Sequence, residues 1–440
     1  MANVVVIGAQ WGDEGKAKIT DLLSEYAEVI IRYQGGCNAG HTVVANGETY
    51  KFHLIPSGIL YEGKICIVGP GTVINPEVLV QEIDNLKNRG ISTENLCISP
   101  LAHVTLPYHL DIDACSEKSL GSKKIGTTNR GIGPTYTDKV NRIGVRIEDL
   151  LDREALSDKL DVILPQKNEI LEKIYGLKLY KKEEIMTFCD KYAKLLSPYI
   201  KDTSEIVRNA LKTDKTILFE GAQGTMLDID YGTYPYVTSS NPVAGGACTG
   251  SGIGPTAVDR VVGISKAYVT RVGEGPFITE LTDDMGKCIQ NIGREFGTTT
   301  GRARRCGWFD AVVAKYSVLV NGLTDMALTK LDVLDDFDEI KICTAYKDRR
   351  NGKIYYNYPT NIYLHRYLEP VYETVPGWKT DISSVKTFDN LPVNAQKYIK
   401  KIEEIIEIPV SIISVGANRE ETIVLENPII APKRNNLLKI

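Results

Sequence analysis

No run of apolar residues in this chain approaches membrane-spanning length, and no cationic segment with an apolar stretch behind it opens the sequence. A helix needs roughly 20 apolar residues to cross a bilayer, so neither a membrane span nor a secretory leader is expected, and a cytoplasmic location is. The nine cysteines are scattered, without a C-x-x-C pair. An odd set lacking metal-ligand spacing argues against a zinc ribbon and a disulfide framework, and suits a reducing compartment. Neither sign of charge dominates. A formal net charge of −4 provides no global attraction to nucleic acid or anionic lipid, so any anion site must be local. Internal repeats, low-complexity tracts and linkers are missing too. What remains is ordinary soluble composition, 43% hydrophobic and 25% charged, in 440 residues that suffice for one large domain with insertions.

Apolar β-branched runs alternate with helical patterns. Val4–Ile7, Val29–Tyr33, Leu96–Ser99, Thr216–Phe219, Val261–Val269, Met326–Thr329, Ile340–Tyr346 and Ser411–Val415 read as strands. Lys18–Tyr26, Pro76–Arg89, Phe309–Val320 and Ala395–Ile405 read as helices. Residues 42–75 look β-rich, and the charged, glycine-poor stretch 148–214 reads as a helical insertion. Residues 220–254 read as one long loop, a length that usually marks function. The alternation predicts an α/β fold with a mostly parallel sheet in a single domain spanning 1–440, its glycine- and charge-bearing loops placed after strands, where open sheets bind ligands.

Six segments carry chemistry. Gly8-Ala-Gln-Trp-Gly-Asp13-Glu14-Gly15-Lys16-Ala17-Lys18 follows the first strand and opens a helix, the arrangement that offers bare N–H groups, a helix dipole and a lysine to phosphate. It departs from a P-loop: six residues rather than four precede Gly15-Lys16, Ala17 replaces the Mg²⁺-binding hydroxyl, and an acidic pair sits inside. A solvated glycine-rich turn fits this pattern alone equally well. His41, in Asn38-Ala39-Gly40-His41-Thr42 after the second strand, is a proton or hydrogen-bond donor candidate, with a satisfied structural histidine as the plainer alternative. Thr329-Lys330-Leu331-Asp332 resembles a guanine-reading element, in which a carboxylate accepts from N1–H and the exocyclic amine. Gly297–Arg305 sets three arginines behind hydroxyls and glycines, forks suited to carboxylate or phosphate. Gly126–Pro134 and Glu220–Gly224 extend the theme of a polyanion pocket, and missing aromatic interleaving argues against nucleic acid.

Taken together, Gly12–Lys16, Asn38–His41, Gly126–Thr128, Glu220–Gln223, Tyr234–Thr238, Thr299–Arg302, Thr329–Asp332 and Pro376–Trp378 resemble the adenylosuccinate synthetase family in order and spacing over nearly the whole chain. The resemblance implies a GTP-dependent, Mg²⁺-requiring ligase that joins IMP and L-aspartate, works as a homodimer, and activates IMP as 6-phosphoryl-IMP. It further implies roles for individual residues. Asp13 takes the N1 proton of IMP and binds one Mg²⁺ per subunit with the Gly40 carbonyl; His41 acts as an acid beside the transferring phosphoryl group, and Lys16 neutralises developing charge. Gln223, Thr128, Thr238 and Arg302 contact IMP along with residues 13–16 and 38–41, and Arg142 reaches the IMP phosphate of the partner subunit. Thr298, Thr299, Thr300, Gly301, Arg302, Ala303 and Arg304 hold aspartate. GTP meets Gly12–Lys18, Gly40–Thr42, Arg304, Lys330, Leu331, Asp332 and Ser414-Val415-Gly416. No membrane or nucleic-acid partner is implied.

Three residues depart from the family pattern. Ala17 replaces a glycine, which is harmless within a helix but costly where φ is positive or the backbone must approach phosphate closely. Asn129 also replaces a glycine, and Ala417 a proline. A purine-binding sensor and a different GTP-using phosphotransferase are the competing readings. Retention of Asp13, Lys16, His41, Gln223 and Arg302 weighs against the first, and the Arg302–Arg305 cluster against the second.

Overall fold

A computed structural model of the chain describes residues 1–45, 47–121, 124–297, 301 and 303–431. Its centre is a nine-stranded sheet. Numbered along the chain, the strands are β1 (Val4–Gly8), β2 (Val29–Arg32), β3 (Ile65–Val68), β4 (Leu96–Ile98), β5 (Ile217–Glu220), β6 (Arg260–Lys266), β7 (Asp325–Thr329), β8 (Val410–Ser414) and β9 (Thr422–Val424). The spatial order is β9-β8-β7-β6-β1-β5-β2-β3-β4, and only β9, at one edge, runs antiparallel. The expected α/β class with a mostly parallel sheet is therefore what the chain adopts. β1 lies inside, between β5 and β6, and is buried along its whole length, which is why its sequence is a continuous apolar run rather than an alternating one.

The two faces of β1 feed two separate cores. Val4 and Val6 pack with Ile30, Leu218 and Val262, under helices α1 (Lys16–Ser24), α2 (Pro76–Asn88) and the 148–214 layer. Val5 and Ile7 pack with Ile31, Phe219 and Leu328 on the other face, against the helices Ala311–Asn321 and Val393–Ile406. Alternation of side chains along each strand thus sorts successive residues into opposite cores.

Several expected boundaries shift. The stretch 261–269 is two strands: β6 ends at Lys266, and Val269–Arg271 pairs with Arg305–Gly307 in a separate ribbon. The basic segment 118–146 contains a helix, Ile132–Val140, and the loop 220–254 contains Ala244–Ser251. Residues 148–214 are helical, as expected, with Arg153–Glu169, Lys182–Leu196 and Thr203–Lys212. Among the described residues no helix is long and apolar enough to cross a membrane.

Candidate active site

The loop after β1 is built around Glu14. Its carboxylate is fully buried and accepts from the N–H of Gln10 at 3.1 Å and of Gly12 at 2.8 Å, while its other oxygen takes Lys16 Nζ at 2.6 Å. Two glycines make the space: a Cβ on Gly8 would stand 2.5 Å from this carboxylate, and one on Gly224 also 2.5 Å. The acidic pair therefore divides. Asp13 faces the site, whereas the Glu14 side chain lies beneath the loop, so residue 14 meets any ligand through its backbone alone. Gly15, at φ 82°, leads into α1, and Ala17 is the second residue of that helix, outside the positive-φ positions. Alanine favours a helix over glycine by roughly 1 kcal/mol. The departure at this position therefore favours the helix.

Carboxyl ends of the strands converge on a cavity of about 430 Å³. Its wall includes Gly12, Asp13, Gly15, Lys16, Ala17, Asn38, Ala39, Gly40, His41, Thr42, Thr128, Gln223, Thr238 and Arg304, which sequence reasoning had named from six separate segments. Gln34 Nε2 donates to Gln223 Oε1 at 3.1 Å and Gln223 Nε2 to Asn38 Oδ1 at 3.4 Å, tying the loops after β2 and β5 together. Glu117 accepts from the N–H of Gly126 at 2.5 Å and of Thr127 at 3.1 Å, which fixes the loop carrying Thr128.

His41 is held by a buried triad. Its Nδ1 stands 2.7 Å from Glu220 Oε1, the same oxygen accepts from Arg32 Nη1 at 3.1 Å, and Glu220 Oε2 accepts from Ser57 N at 3.0 Å. Burial opposes ionisation of Glu220, yet the His41 hydrogen bond and the Arg32 charge outweigh it and hold this carboxyl down at about 2. Burial first, and then Arg32, lower the His41 pKa, so the ring is neutral at pH 7. With Nδ1–H donated to the carboxylate, Nε2 carries the lone pair.

Asp13 forms an ion pair with Arg304, whose Nε lies 2.7 Å from Oδ2 without being aligned for a hydrogen bond. Arg304 Nη1 continues to Glu295 Oε2 at 2.7 Å. Beside the cavity, Lys330 Nζ reaches Gly293 O at 2.6 Å, and Lys18 Nζ donates to Ser414 Oγ at 2.8 Å and Gly416 O at 2.9 Å. Asp332 leaves Oδ1 buried without a partner, and burial raises its pKa. Leu331 is wholly buried. Lys18 thus ties the 414–416 segment to the first turn of α1.

Nine non-glycine residues have positive φ among those described, and five fall in the segments named from sequence: Asp13, Asn129, Arg142, Gln223 and Lys330. Such conformations persist where the surroundings over-determine them, commonly at functional sites. Asn129 at φ 54° explains why asparagine stands where the family has glycine. Arg142 is exposed beyond the far end of the helix Ile132–Val140, whose first residues line the cavity, so it does not join the site of its own chain. Thr298, Thr299, Thr300 and Arg302 lie outside the described residues; Gly301 and Ala303 flank them.

Sequence reasoning missed Arg32, Lys266, Arg271 and Glu295. Arg271 is buried in the cavity wall, donating to the carbonyls of Glu274, Pro276 and Tyr236. A signal existed for the first three: each is a cation at the carboxyl end of an apolar strand, a costly position unless partners wait there.

An internal parallel strand feeding a phosphate loop, a cation-lined cavity at the strand ends and a partly buried carboxylate with a free oxygen define a nucleotide-dependent enzyme of the open α/β class. Comparison with known proteins narrows the class. The adenylosuccinate synthetase family model matches residues 5–423. The adenylosuccinate synthetase of Cyanothece sp. is 58% identical over 434 residues, 99% of this chain and 97% of that protein. Its Picosynechococcus sp. counterpart is 57% identical over 99% of this chain and 98% of that one. The structure of fully ligated adenylosuccinate synthetase from Plasmodium falciparum superposes with a TM-score of 0.90 at 41% identity, covering 96% of this chain and 100% of that chain. The chain belongs to the adenylosuccinate synthetase family. It is a ligase of AMP biosynthesis that couples GTP to the joining of IMP and L-aspartate as adenylosuccinate.

Proposed function

We propose that the ligation proceeds in this cavity through 6-phosphoryl-IMP, with Asp13 as the base. Asp13 removes the N1 proton of IMP, and the electron pair moves to O6, which attacks the γ-phosphorus of GTP. GDP leaves. The aspartate amine then adds at C6 and gives one proton to solvent, and the C6–O6 bond breaks to release phosphate. Lys16 faces the oxygens on which charge develops, from the first turn of α1. Gln223 holds the purine, and His41 acts as the acid, donating a ring N–H to a phosphate oxygen once the ring leaves Glu220 and Arg32, whose Nη1 lies 3.0 Å from Nε2. Thr128, Thr238 and Arg302 hold the rest of IMP, residues 298–304 take aspartate, and Lys330, Asp332 and Ser414–Gly416 read guanine. The orphan oxygen of Asp332 supports the last assignment: guanine N1–H and its amine supply the donors it lacks.

Hard oxygen donors at the cavity wall, the Asp13 carboxylate and the Gly40 carbonyl, suit Mg²⁺. Among the described residues no three or more His, Cys, Asp or Glu are grouped to hold a metal. One Mg²⁺ per subunit, when bound, screens the phosphate oxygens and stabilises charge on the leaving GDP. The exposed Arg142 completes the IMP phosphate site of a second copy in a homodimer. A cytoplasmic location belongs to the same reading.

The observation that carries this reading is Asp13, held at φ 59° and paired with Arg304 in the wall of a cavity that Lys16, Gly40 and Gln223 also line. The test is an isotope transfer. With IMP labelled at O6 by oxygen-18, the label is expected in the released phosphate, because O6 departs bound to phosphorus. Unlabelled phosphate would rule out the phosphorylated intermediate.

A further inference from the structure

Glu295 follows the helix Asp284–Ile292 and is wholly buried. Its Oε1 accepts from Lys266 Nζ at 2.7 Å, from Lys330 Nζ at 2.9 Å and from the Tyr268 hydroxyl at 2.5 Å; its Oε2 accepts from Arg304 Nη1 at 2.7 Å. Three cations from three distant segments meet on one carboxylate. The backbone repeats the connection. Arg304 N donates to Glu295 O at 2.9 Å, and Phe296 bridges Ala303, so backbone and side chain both tie Glu295 to Arg304. Lys330 is further fixed by positive φ, and the preceding Thr329 donates through Oγ1 to the Glu14 carbonyl at 2.6 Å. Arg304, for its part, is shared between Glu295 and Asp13.

A carboxylate that merely balanced Lys266 would need one partner. Here it fixes Lys330 at one end and Arg304 at the other. Long cationic side chains lose much rotamer freedom when they engage a ligand, and holding them beforehand lowers that cost. Without the carboxylate, Arg304 would fall wholly to Asp13, and Lys330 would be repelled by Lys266 and Arg304.

We propose that Glu295 is a positioning residue that sets Lys330 and Arg304 for the reaction, coupling guanine recognition to the loop that receives aspartate. This rests on the guanine and aspartate assignments made above. Glu295 is not expected to touch substrate; it acts through the two cations.

Three variants test it. Glu295→Gln keeps the shape and removes the charge. The expected result is a KM rise of about tenfold for both GTP and aspartate, the size of one lost charge-assisted hydrogen bond, with the IMP KM within about threefold. The preference for GTP over ITP, which lacks the 2-amino group, should fall as Lys330 and Asp332 loosen. Lys266→Met combined with Glu295→Gln restores the buried charge balance. If Glu295 positions the cations, this double variant regains thermal stability yet keeps both KM values raised; if it regains parental KM values, Glu295 only neutralises Lys266 and the proposal is overturned. Equal losses for all three substrates in the double variant would overturn it as well. Asp332→Asn serves as the independent control. Loss of GTP preference there, alongside parental kinetics in Glu295→Gln, would sink this proposal alone. Unchanged preference in Asp332→Asn would sink the guanine assignment itself.

Discussion

Adjacent carboxylates in the phosphate loop should fail in opposite ways. Glu14→Gln keeps the side-chain volume under the loop, and its carbonyl can still accept from Gln10 or Gly12. Its amide nitrogen, however, would stand at the position now 2.6 Å from Lys16 Nζ, donor against donor. Lys16 is 6% exposed and Glu14 0%, so the ammonium would be left buried without its counter-ion. Breaking a buried pair from one side costs about 3–5 kcal/mol. Unfolding entropy of about 2.1 cal/mol/K per residue gives roughly 0.9 kcal/mol per degree for this 440-residue chain, so the melting temperature should fall by roughly 3–5 °C. Asp13→Asn is the counterpart. The Asp13 side chain is 38% exposed, so solvent screening reduces its ion pair with Arg304 to about 0–1 kcal/mol. Asparagine also tolerates the left-handed backbone there. That variant should melt within about 1 °C of the parent while turnover drops by about 10²–10⁴-fold, the usual contribution of a general base. Differential scanning fluorimetry and a phosphate-release assay on both proteins check the pair. A larger melting shift in Asp13→Asn than in Glu14→Gln would refute the division of labour, as would near-parental turnover in Asp13→Asn.

Two further outcomes follow from single carboxylates. Asp332→Asn should move preference from GTP towards xanthosine triphosphate, since an amide can donate to a 2-oxo group; competition kinetics with the two nucleotides reads this, and an unchanged GTP preference refutes the base-reading role. Asp310 caps the helix Ala311–Asn321 by accepting from Val313 N at 3.1 Å and takes the Tyr346 hydroxyl at 2.7 Å. Burial pushes its pKa from 3.8 to about 6. Below the ordinary value both states hold the proton and the shift contributes nothing. As pH rises from about 4 to about 6 the unfolded chain releases it first, so stability falls, and above that range the buried charge costs roughly 3 kcal/mol. Asp310→Asn should therefore gain about 3 °C over the parent between pH 4.5 and 7.5, and parallel melting curves across that range would refute the assignment.

Legibility in the sequence followed burial. β1, β5 and β7 sit inside a parallel sheet, and such strands read as unbroken apolar runs. The helix Ala244–Ser251 was hidden because its sequence, AGGACTGS, is poor in helix formers. It forms for tertiary reasons: a Cβ on Gly250 would stand 2.1 Å from Tyr33 O, so the glycine is there for close packing against β2's end. The expected strand 261–269 broke where Lys266 and Tyr268 both turn to Glu295, a partner that no local pattern around Gly293-Arg-Glu-Phe-Gly297 announces. The cavity residues were legible for a different reason. Glycines and charges directly after apolar strands are conspicuous, and the sheet gathers those positions at one edge. Glu220 was visible as part of a motif, but its hold on His41 and Arg32 depends on burial that only the fold supplies.

The loop after β1 shows why its spacing differs from a P-loop. An ordinary P-loop spends its inward N–H groups on the phosphate; here the Gln10 and Gly12 N–H groups are already satisfied by Glu14. The loop is folded around its own anion and is organised before any nucleotide arrives. Curling the chain round a carboxylate takes more residues than curling it round nothing, which accounts for six positions before Gly15-Lys16 instead of four. The same curl turns the neighbouring residue outward: with residue 14 pointing in, Asp13 is thrown into the cavity in a left-handed conformation. One carboxylate stabilises the loop so that the next faces the cavity. Position 17, where a P-loop carries its hydroxyl, lies in the first turn of α1, and on the mechanism proposed above Asp13 takes over as the oxygen ligand.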